Sequence, residues 1–461
     1  MRGFERASNA LAAALGPAPA APPGAWLGLE HEFLVRGRDG SPLDFRTLIH
    51  ELGIGHRHLD PADPNAHRLP SGAVVTCDDA EAEVAIPPVP GTGSFSGRVV
   101  AAADAARSAI ADRLPRGVRL EGWSTHLSVS VTSDVLDACG RRYPTTFAPA
   151  LMLLMDRARS PGLLVRTRPG RLELCGEYVA GPALQAAVTF AAGSVRALAA
   201  HIEGIGAIPV PRLRGRIRMA DTRYGWYVDR RAFDDDLYST GRRTRLPLAA
   251  GGTITAGEQL ERCWSAARAA LVRSAGVRPD DLAVTDDIVA GRLPLHSEGR
   301  IRGRRHPLRA FPSPYGRALG VRARPGFGVA PVMLTWGIAV FLLADLERPR
   351  RGFVSVPGDR LEAFLGLLDA GALDDILAGH LGRPAGDRRL ERREQAVEPG
   401  VYDELGPRLA LLAMEPGLTA GTASRLGTAW LRRASGILTS WTRPKVPSSS
   451  GVQPARRASD A

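Results

Sequence analysis

The sequence predicts an α+β fold in which short antiparallel strands are interleaved with helices and each strand presents one polar face. Apolar and polar residues alternate with period two over residues 26–35, 119–132 and 163–179, the pattern of half-buried strands. Residues 96–114, 146–158 and 181–202 repeat apolar side chains at helical spacing. Acidic residues recur on the polar faces of the strands, which makes one side of the sheet a functional surface.

A flexible leader is expected over residues 1–25, where an Ala-rich run breaks into the Pro-rich stretch from Gly16 to Gly24. The first strand follows, and Arg36-Gly37-Arg38-Asp39-Gly40 closes it as a turn. Residues 73–76 and 81–86 read as two short strands around Asp78-Asp79, the second stopped by Pro87-Pro88. In residues 119–132, Leu127, Val129 and Val131 share one face and His126, Ser128 and Ser130 the other. In residues 163–179, Arg171, Glu173, Cys175 and Glu177 share one side. Gly181-Pro182 opens a long Ala-rich helix, with proline tolerated in its first turn. Residues 204–257 are loop-rich, and 258–275 form a helix that Gly276 caps. The apolar run at 331–344 is too short to span a bilayer and is read as a buried helix or strand pair. Helical patterns return at 361–368, 373–381 and 402–414.

The formal charge of +12 raises the question of nucleic acid, yet only Lys445 among the 60 basic residues is a lysine, and the arginines are diffuse. A nucleic-acid partner needs clustered basic surface with stacking aromatics, so none is assigned. Cys77, Cys139, Cys175 and Cys263 stand far apart with no Cys-x-x-Cys pair, which indicates neither a zinc site nor a disulfide scaffold, and a cytoplasmic location with no membrane partner is expected.

The segment Gly28-Leu29-Glu30-His31-Glu32-Phe33 is a strand, so Glu30 and Glu32, two apart, point the same way. Two such carboxylates repel unless a positive charge lies between them, and divalent magnesium or manganese is the usual solution. An isolated Glu-x-Glu is more often the solvent face of an edge strand. Here Glu81 and Glu83 repeat the arrangement on a second strand, His126 lies on the polar side of a third and Glu173 on a fourth.

These residues resemble the glutamate-cysteine ligase type 2 family, the carboxylate-amine ligases related to glutamine synthetase. Residues 28–33 resemble its Gly-x-Glu-x-Glu-Phe opening, and Glu83-Val84-Ala85-Ile86-Pro87-Pro88 its Glu-x-x-Thr-Pro-Pro segment. Gly122 to Val129 is similar to its Gly-x-His-x-His-Val strand, and Leu172-Glu173-Leu174-Cys175 to its Val-Glu-x-Arg strand. Order and spacing agree over residues 26–200. The resemblance implies a curved antiparallel sheet of glutamine synthetase-like type with helices on one face, holding ATP and magnesium or manganese. A ligase-like catalytic domain is expected over 26–350, periodicity gives a helical C-terminal region of the same domain or a small appendage over 351–435, composition gives a disordered tail over 436–461, and the resemblance bears on the first of these. The resemblance further implies that a substrate carboxylate attacks the γ-phosphate of ATP and an amine displaces the acyl phosphate. By position, Glu30, Glu32, Glu83, His126 and Glu173 become the metal ligands, Arg166 and Arg171 catalytic groups, and Arg168 and Glu177 cofactor-binding groups. Small-molecule amino acid and amine substrates follow, and self-assembly stays open.

Ser128 stands where the family has a second histidine and Cys175 where it has arginine. Serine is a poor substitute for an imidazole ligand, and a neutral thiol cannot offset phosphoryl charge, although Arg171 lies one step along the same face as Glu173. Two readings therefore compete: an ATP-dependent ligase, with the γ-carboxylate of glutamate as a candidate substrate, and a relative that binds nucleotide or amino acid without ligation. Three other signals are discounted or left local. Gly91-Thr92-Gly93-Ser94-Phe95-Ser96-Gly97 lacks a P-loop lysine and reads as a plain loop before a helix. His56, His58 and Asp60 sit in a loop read as closing over substrate, and Arg300 to Arg305 in a basic loop near nucleotide phosphates.

Overall fold

The computed structural model describes residues 10–382 except 17–21, 55–64, 70, 157–159, 206–209, 221–224, 274–275, 297, 299–313, 319 and 347–349. Residues 56–60, 300–305, 402–414 and 436–461, for which a loop, a basic segment, a helix and a tail were expected, lie outside the described residues. Eleven strands make one sheet: β1 (Trp26–Arg36), β2 (Pro42–Leu43), β3 (His67–Arg68), β4 (Val74–Asp78), β5 (Glu81–Ala85), β6 (Val89–Pro90), β7 (Arg119–Ser130), β8 (Gly162–Arg168), β9 (Arg171–Glu177), β10 (Arg218–Ala220) and β11 (Gly225–Asp229). The order is β10-β11-β8-β9-β7-β1-β5-β4-β3, with β2 and β6 also pairing with β1. Every pairing is antiparallel. The fold is thus α+β, an open antiparallel sheet with helices against one face.

Alternation decides which face is which. On β1, Leu27, Leu29, Phe33 and Val35 are buried on one side, while Gly28, Glu30 and Glu32 occupy the other. The apolar side joins helices Phe95–Ala111, Ala148–Met155, Gly181–Ile202 and Ala256–Val272 in a continuous core. Helix Gly181–Ile202 is apolar nearly all round, long enough to cross a membrane by length and composition, and buried here among its neighbours. An all-round apolar helix of this kind belongs at the centre of a large core.

Residues 163–179, read as one alternating stretch, divide into β8 and β9 across a tight turn at Pro169-Gly170, where Gly170 has φ +74°. The polar positions change from even numbers on β8 to odd numbers on β9, which is the mark such a turn leaves in a sequence. The expected helix at 258–275 begins earlier, at Ala256. Its Thr255 hydroxyl accepts from the Glu258 amide at 3.2 Å while the Glu258 carboxylate accepts from the Thr255 amide at 2.8 Å, a capping box that satisfies two end donors. A one-residue bulge interrupts β7: Glu32 faces Ser124 and Phe33 faces Gly122, leaving Trp123 unpaired and 53% exposed. Gly122 must lack a side chain, because a Cβ there would enter the Tyr178 ring.

A hairpin of β12 (Arg245–Pro247) and β13 (Thr253–Thr255) precedes a second antiparallel sheet, β14 (Arg322–Arg324), β15 (Phe327–Leu334), β16 (Ile338–Asp345) and β17 (Arg351–Pro357). The apolar run at 331–344 is therefore a strand pair. One face of this sheet packs Phe327, Phe341 and Val354 with helices Leu361–Asp369 and Asp374–His380. Leu11 and Leu15, on the helix at 10–15 within the expected leader, are buried in that same cluster. The other face sets Met333, Val340 and Leu342 against Ala66 and Val74 at the β3–β4 edge of the large sheet. β17 pairs with β16 along its length, so one sheet spans the expected boundary at residue 350.

Asp156, just beyond helix Ala148–Met155, is fully buried behind β9. It accepts from the Tyr238 hydroxyl at 2.5 Å and from the Glu177 amide at 2.9 Å. Burial pushes its carboxyl up to about 7, against the opposing pull of those hydrogen bonds. An acid whose folded value is raised binds more protons when folded than when unfolded. Stability should therefore fall as pH rises from about 4 to about 7, by up to about 1.4 kcal/mol per pH unit from this group. Asp156→Asn should flatten that slope in urea titrations across the window; an unchanged slope would exclude Asp156 as its source.

Candidate functional site

Strand register lays the polar side chains out in rows across the polar face of the large sheet. One row runs Arg166 on β8, Glu173 on β9, Ser128 on β7 and Gly28 on β1. The next runs Leu164, Cys175, His126, Glu30 and Ala85, and a third Glu177, Ser124, Glu32, Glu83 and Thr76. Charge separates along these rows. Carboxylates gather on β1, β5 and β4, arginines on β8 and β9, and His126 stands between them.

On the acidic side, ligand oxygens of Glu32, Asp78 and Glu83 all lie within 4.8 Å of one another. Asp78 comes from the end of β4, which the Asp78-Asp79 turn had made look like loop. Burial pushes the Glu83 carboxyl up to about 8, aided by the negative charges of Glu30 and Glu32. Glu32 is raised chiefly by burial as well, though His126 and the Ser124 hydroxyl, which donates to it at 2.5 Å, pull the other way. The cluster is therefore short of positive charge.

His126 partly supplies it. Its Nδ1 lies 3.3 Å from Glu30 and its Nε2 3.5 Å from Glu32, so the imidazole bridges the two acids of β1. Burial alone would lower its pKa, but the Glu30 hydrogen bond and the charges of Glu32, Glu30 and Glu173 raise it overall. Burial likewise opposes ionisation of Glu30, yet His126, Arg171 and Arg166 outweigh it and hold that carboxyl below its ordinary value. His31, one residue from each glutamate, points into the core instead, and burial depresses it to about 3.

Glu173, expected among the metal ligands, sits apart from the carboxylate cluster. It is 1% exposed, with Arg166 Nε at 2.5 Å, Arg168 Nε at 3.3 Å and Arg171 Nη2 at 3.7 Å. The reason is the β8–β9 hairpin, which sets Arg166 directly across from Glu173 and Arg168 across from Arg171. One carboxylate against three guanidinium groups leaves excess positive charge on this side of the face. Arg171 also donates from Nε to the Ser128 hydroxyl at 3.1 Å. Cys175 is buried beside Glu173, and burial followed by the Glu173 charge pushes its thiol far up, which keeps it neutral. Glu177, expected to bind cofactor, lies at the Ser124 end of β9, where its amide is tied to Asp156.

The donors on the acidic side are hard carboxylate oxygens, the chemistry that suits magnesium or manganese. Four acids, Glu30, Glu32, Asp78 and Glu83, are available there with His126. The arginine side suits an oxyanion, since guanidinium forks match phosphate and carboxylate oxygens.

No family model matches the chain, and no curated protein matches it. Solved structures similar to parts of it include the following two. One is the crystal structure of the complex between the prokaryotic ubiquitin-like protein Pup and its ligase PafA, at 14% identity and TM-score 0.37, covering 60% of this chain and 66% of that one. Another is the Pup ligase PafA of the prokaryotic ubiquitin-like modification pathway in complex with ADP, at 14% identity and TM-score 0.31, covering 53% of this chain and 62% of that one. The matched region thus spans less than two thirds of each of those chains. Neither likeness assigns an activity to this chain.

Removing the Glu173 charge should leave three neighbouring guanidinium groups uncompensated. Glu173→Gln is expected to destabilise the protein by about 3 kcal/mol in urea unfolding. Arg168→Ala, whose side chain is 37% exposed, should cost under about 1 kcal/mol. Equal losses in the two variants would refute the assignment of Glu173 as the buried hub.

Proposed function

We propose that this face is the active site of an ATP- and magnesium-dependent ligase. It joins an amino-acid carboxylate, with the γ-carboxylate of glutamate the first candidate, to an amine. The observation that carries this reading is the division of one sheet face into a carboxylate cluster and an arginine cluster with His126 between them. A nucleotide triphosphate with its divalent cation presents the complementary pair of charges.

In this reading Glu30, Glu32, Asp78 and Glu83 hold the divalent cations, and His126 joins them once it gives up its proton. The raised Glu83 carboxyl fits such a site, because a bound cation would remove the repulsion that now favours the neutral acid. Bound magnesium would offset charge on the transferring phosphoryl group. Arg166, Arg168 and Arg171 orient the anionic end of the substrate or the phosphate, with Glu173 fixing their side chains. The carboxylate oxygen attacks the γ-phosphorus and ADP departs. The amine then attacks the acyl carbon and phosphate leaves, with one proton lost from nitrogen.

A second reading, binding of nucleotide or amino acid without ligation, draws on Cys175. It places a neutral thiol in the same row as Glu30, where the ligase motif carries a cation.

The ligase reading requires release of ADP and phosphate that depends on magnesium, a carboxylate substrate and an amine together. Glu83→Gln and Glu32→Gln should each reduce turnover at least about 100-fold, consistent with loss of metal-borne charge stabilisation, while the thermal melt stays cooperative. Full turnover in either variant sinks the metal assignment. ATP binding without ADP formation over a broad panel of acids and amines would favour the second reading.

A further inference from the structure

The tip of the β15–β16 hairpin, Thr335-Trp336-Gly337, reaches from the second sheet onto the charged face of the first. Trp336 packs against β1 at Gly28: a Cβ built on Gly28 would stand 3.1 Å from the indole Cε3 and 3.3 Å from Ser128 Cβ. Gly28 precedes Glu30 by two residues on the same face, so the ring occupies the place next to the first metal-site acid. Across the strand pair, the Arg171 guanidinium carbon sits 5.8 Å from the centre of the indole, within cation–π range. Arg171 is thus held by the Ser128 hydroxyl, Glu173 and the Trp336 ring.

The tip is fixed by its own backbone. Thr335 donates from its amide to the Ile338 carbonyl at 2.9 Å, and Gly358 donates to the Gly337 carbonyl at 3.0 Å. Gly358 has no room for a Cβ, which would meet the Trp336 carbonyl oxygen. Beside the tip, Tyr315 packs edge-on against Trp26 of β1 at 5.5 Å. The second sheet therefore presents the indole on a rigid support at the Trp26–Gly28 end of the face.

From this we infer that Trp336 is a positioning residue of the site: it covers the polar face at Gly28 and holds Arg171 toward the anion that the arginine side binds. The inference rests on the ligase reading only for what that anion is, here the phosphates of a nucleotide. Arg171 carries charge, Trp336 carries none, and a variant of either loses the same aligned guanidinium.

The test uses the full chain with Mn²⁺ alone, Mg·ADP, and no ligand. Trp336→Ala should weaken Mg·ADP in calorimetry about tenfold, between the sizes of an exposed and a desolvated cation–π contact, and leave Mn²⁺ affinity in spin-resonance titration within twofold. Trp336→Phe should restore most of the loss, and Gly28→Ala, which crowds both the ring and the Ser128 side chain that holds Arg171, should reproduce part of it. Arg171→Ala should weaken Mg·ADP more, since it removes the charge itself, and Trp336→Ala added to Arg171→Ala should weaken it little further. In the ligand-free protein the Tm losses of the two single variants should exceed that of the double when summed. Additive Tm losses, or Mn²⁺ and Mg·ADP affinity falling together in Trp336→Ala, overturn the inference. A wild type that binds neither probe overturns the ligase reading instead, and the ligand-free cycle then decides the Trp336–Arg171 contact alone.

Discussion

Mutual repulsion among Glu30, Glu32, Asp78 and Glu83 is the constraint around which the face is organised. Antiparallel register forces these acids together: Glu32 faces Glu83 across the β1–β5 pair, and the β4–β5 hairpin brings Asp78 alongside. A folded chain has few ways to tolerate that much negative charge in a half-buried place. It can neutralise a carboxyl, as burial and neighbours do to Glu83, or set a cation among the acids, as it does with His126. It can also accept a metal. Under the proposed function, a divalent cation would replace both devices at once.

The opposite arrangement a few ångströms away follows the same logic with signs reversed. Arg166, Arg168 and Arg171 are brought together by one hairpin and steadied by the single buried acid Glu173. Replacing a buried ion pair with apolar residues often costs little, so stability alone is a weak reason to keep such a cage. Under the proposed function, its excess positive charge on a face shared with four acids serves recognition of an anion. The ligand so proposed carries both a chelated metal and free oxyanions.

Much of this was legible in the chain because period two is a strong signal. Leu27, Leu29, Phe33 and Val35 set against Glu30 and Glu32 settle the faces of β1, and the same alternation places His126 and Glu83. What escaped depends on turns and on long-range packing. Asp78 follows Val74 and Val75, two successive apolar residues that hide the alternation of β4, and adjoins Asp79, whose φ of +51° belongs to a turn. The partnership of Glu173 with Arg166 needed the turn at Pro169-Gly170, since only a hairpin puts those residues opposite each other. Trp336 carried no local signal at all. Its role depends on a sheet edge docking through Met333 and Val340 onto Ala66 and Val74, which no short window contains.

The seat of Trp336 on Gly28 also orders events in time. Synthesis runs from the N-terminus, so every acid and arginine of the face has left the ribosome before the hairpin that carries the indole. Contacts this distant in sequence are the slowest to close, because the intervening chain must be ordered first. The carboxylate row is therefore complete in the emerging chain before the indole arrives to cover its Gly28 end.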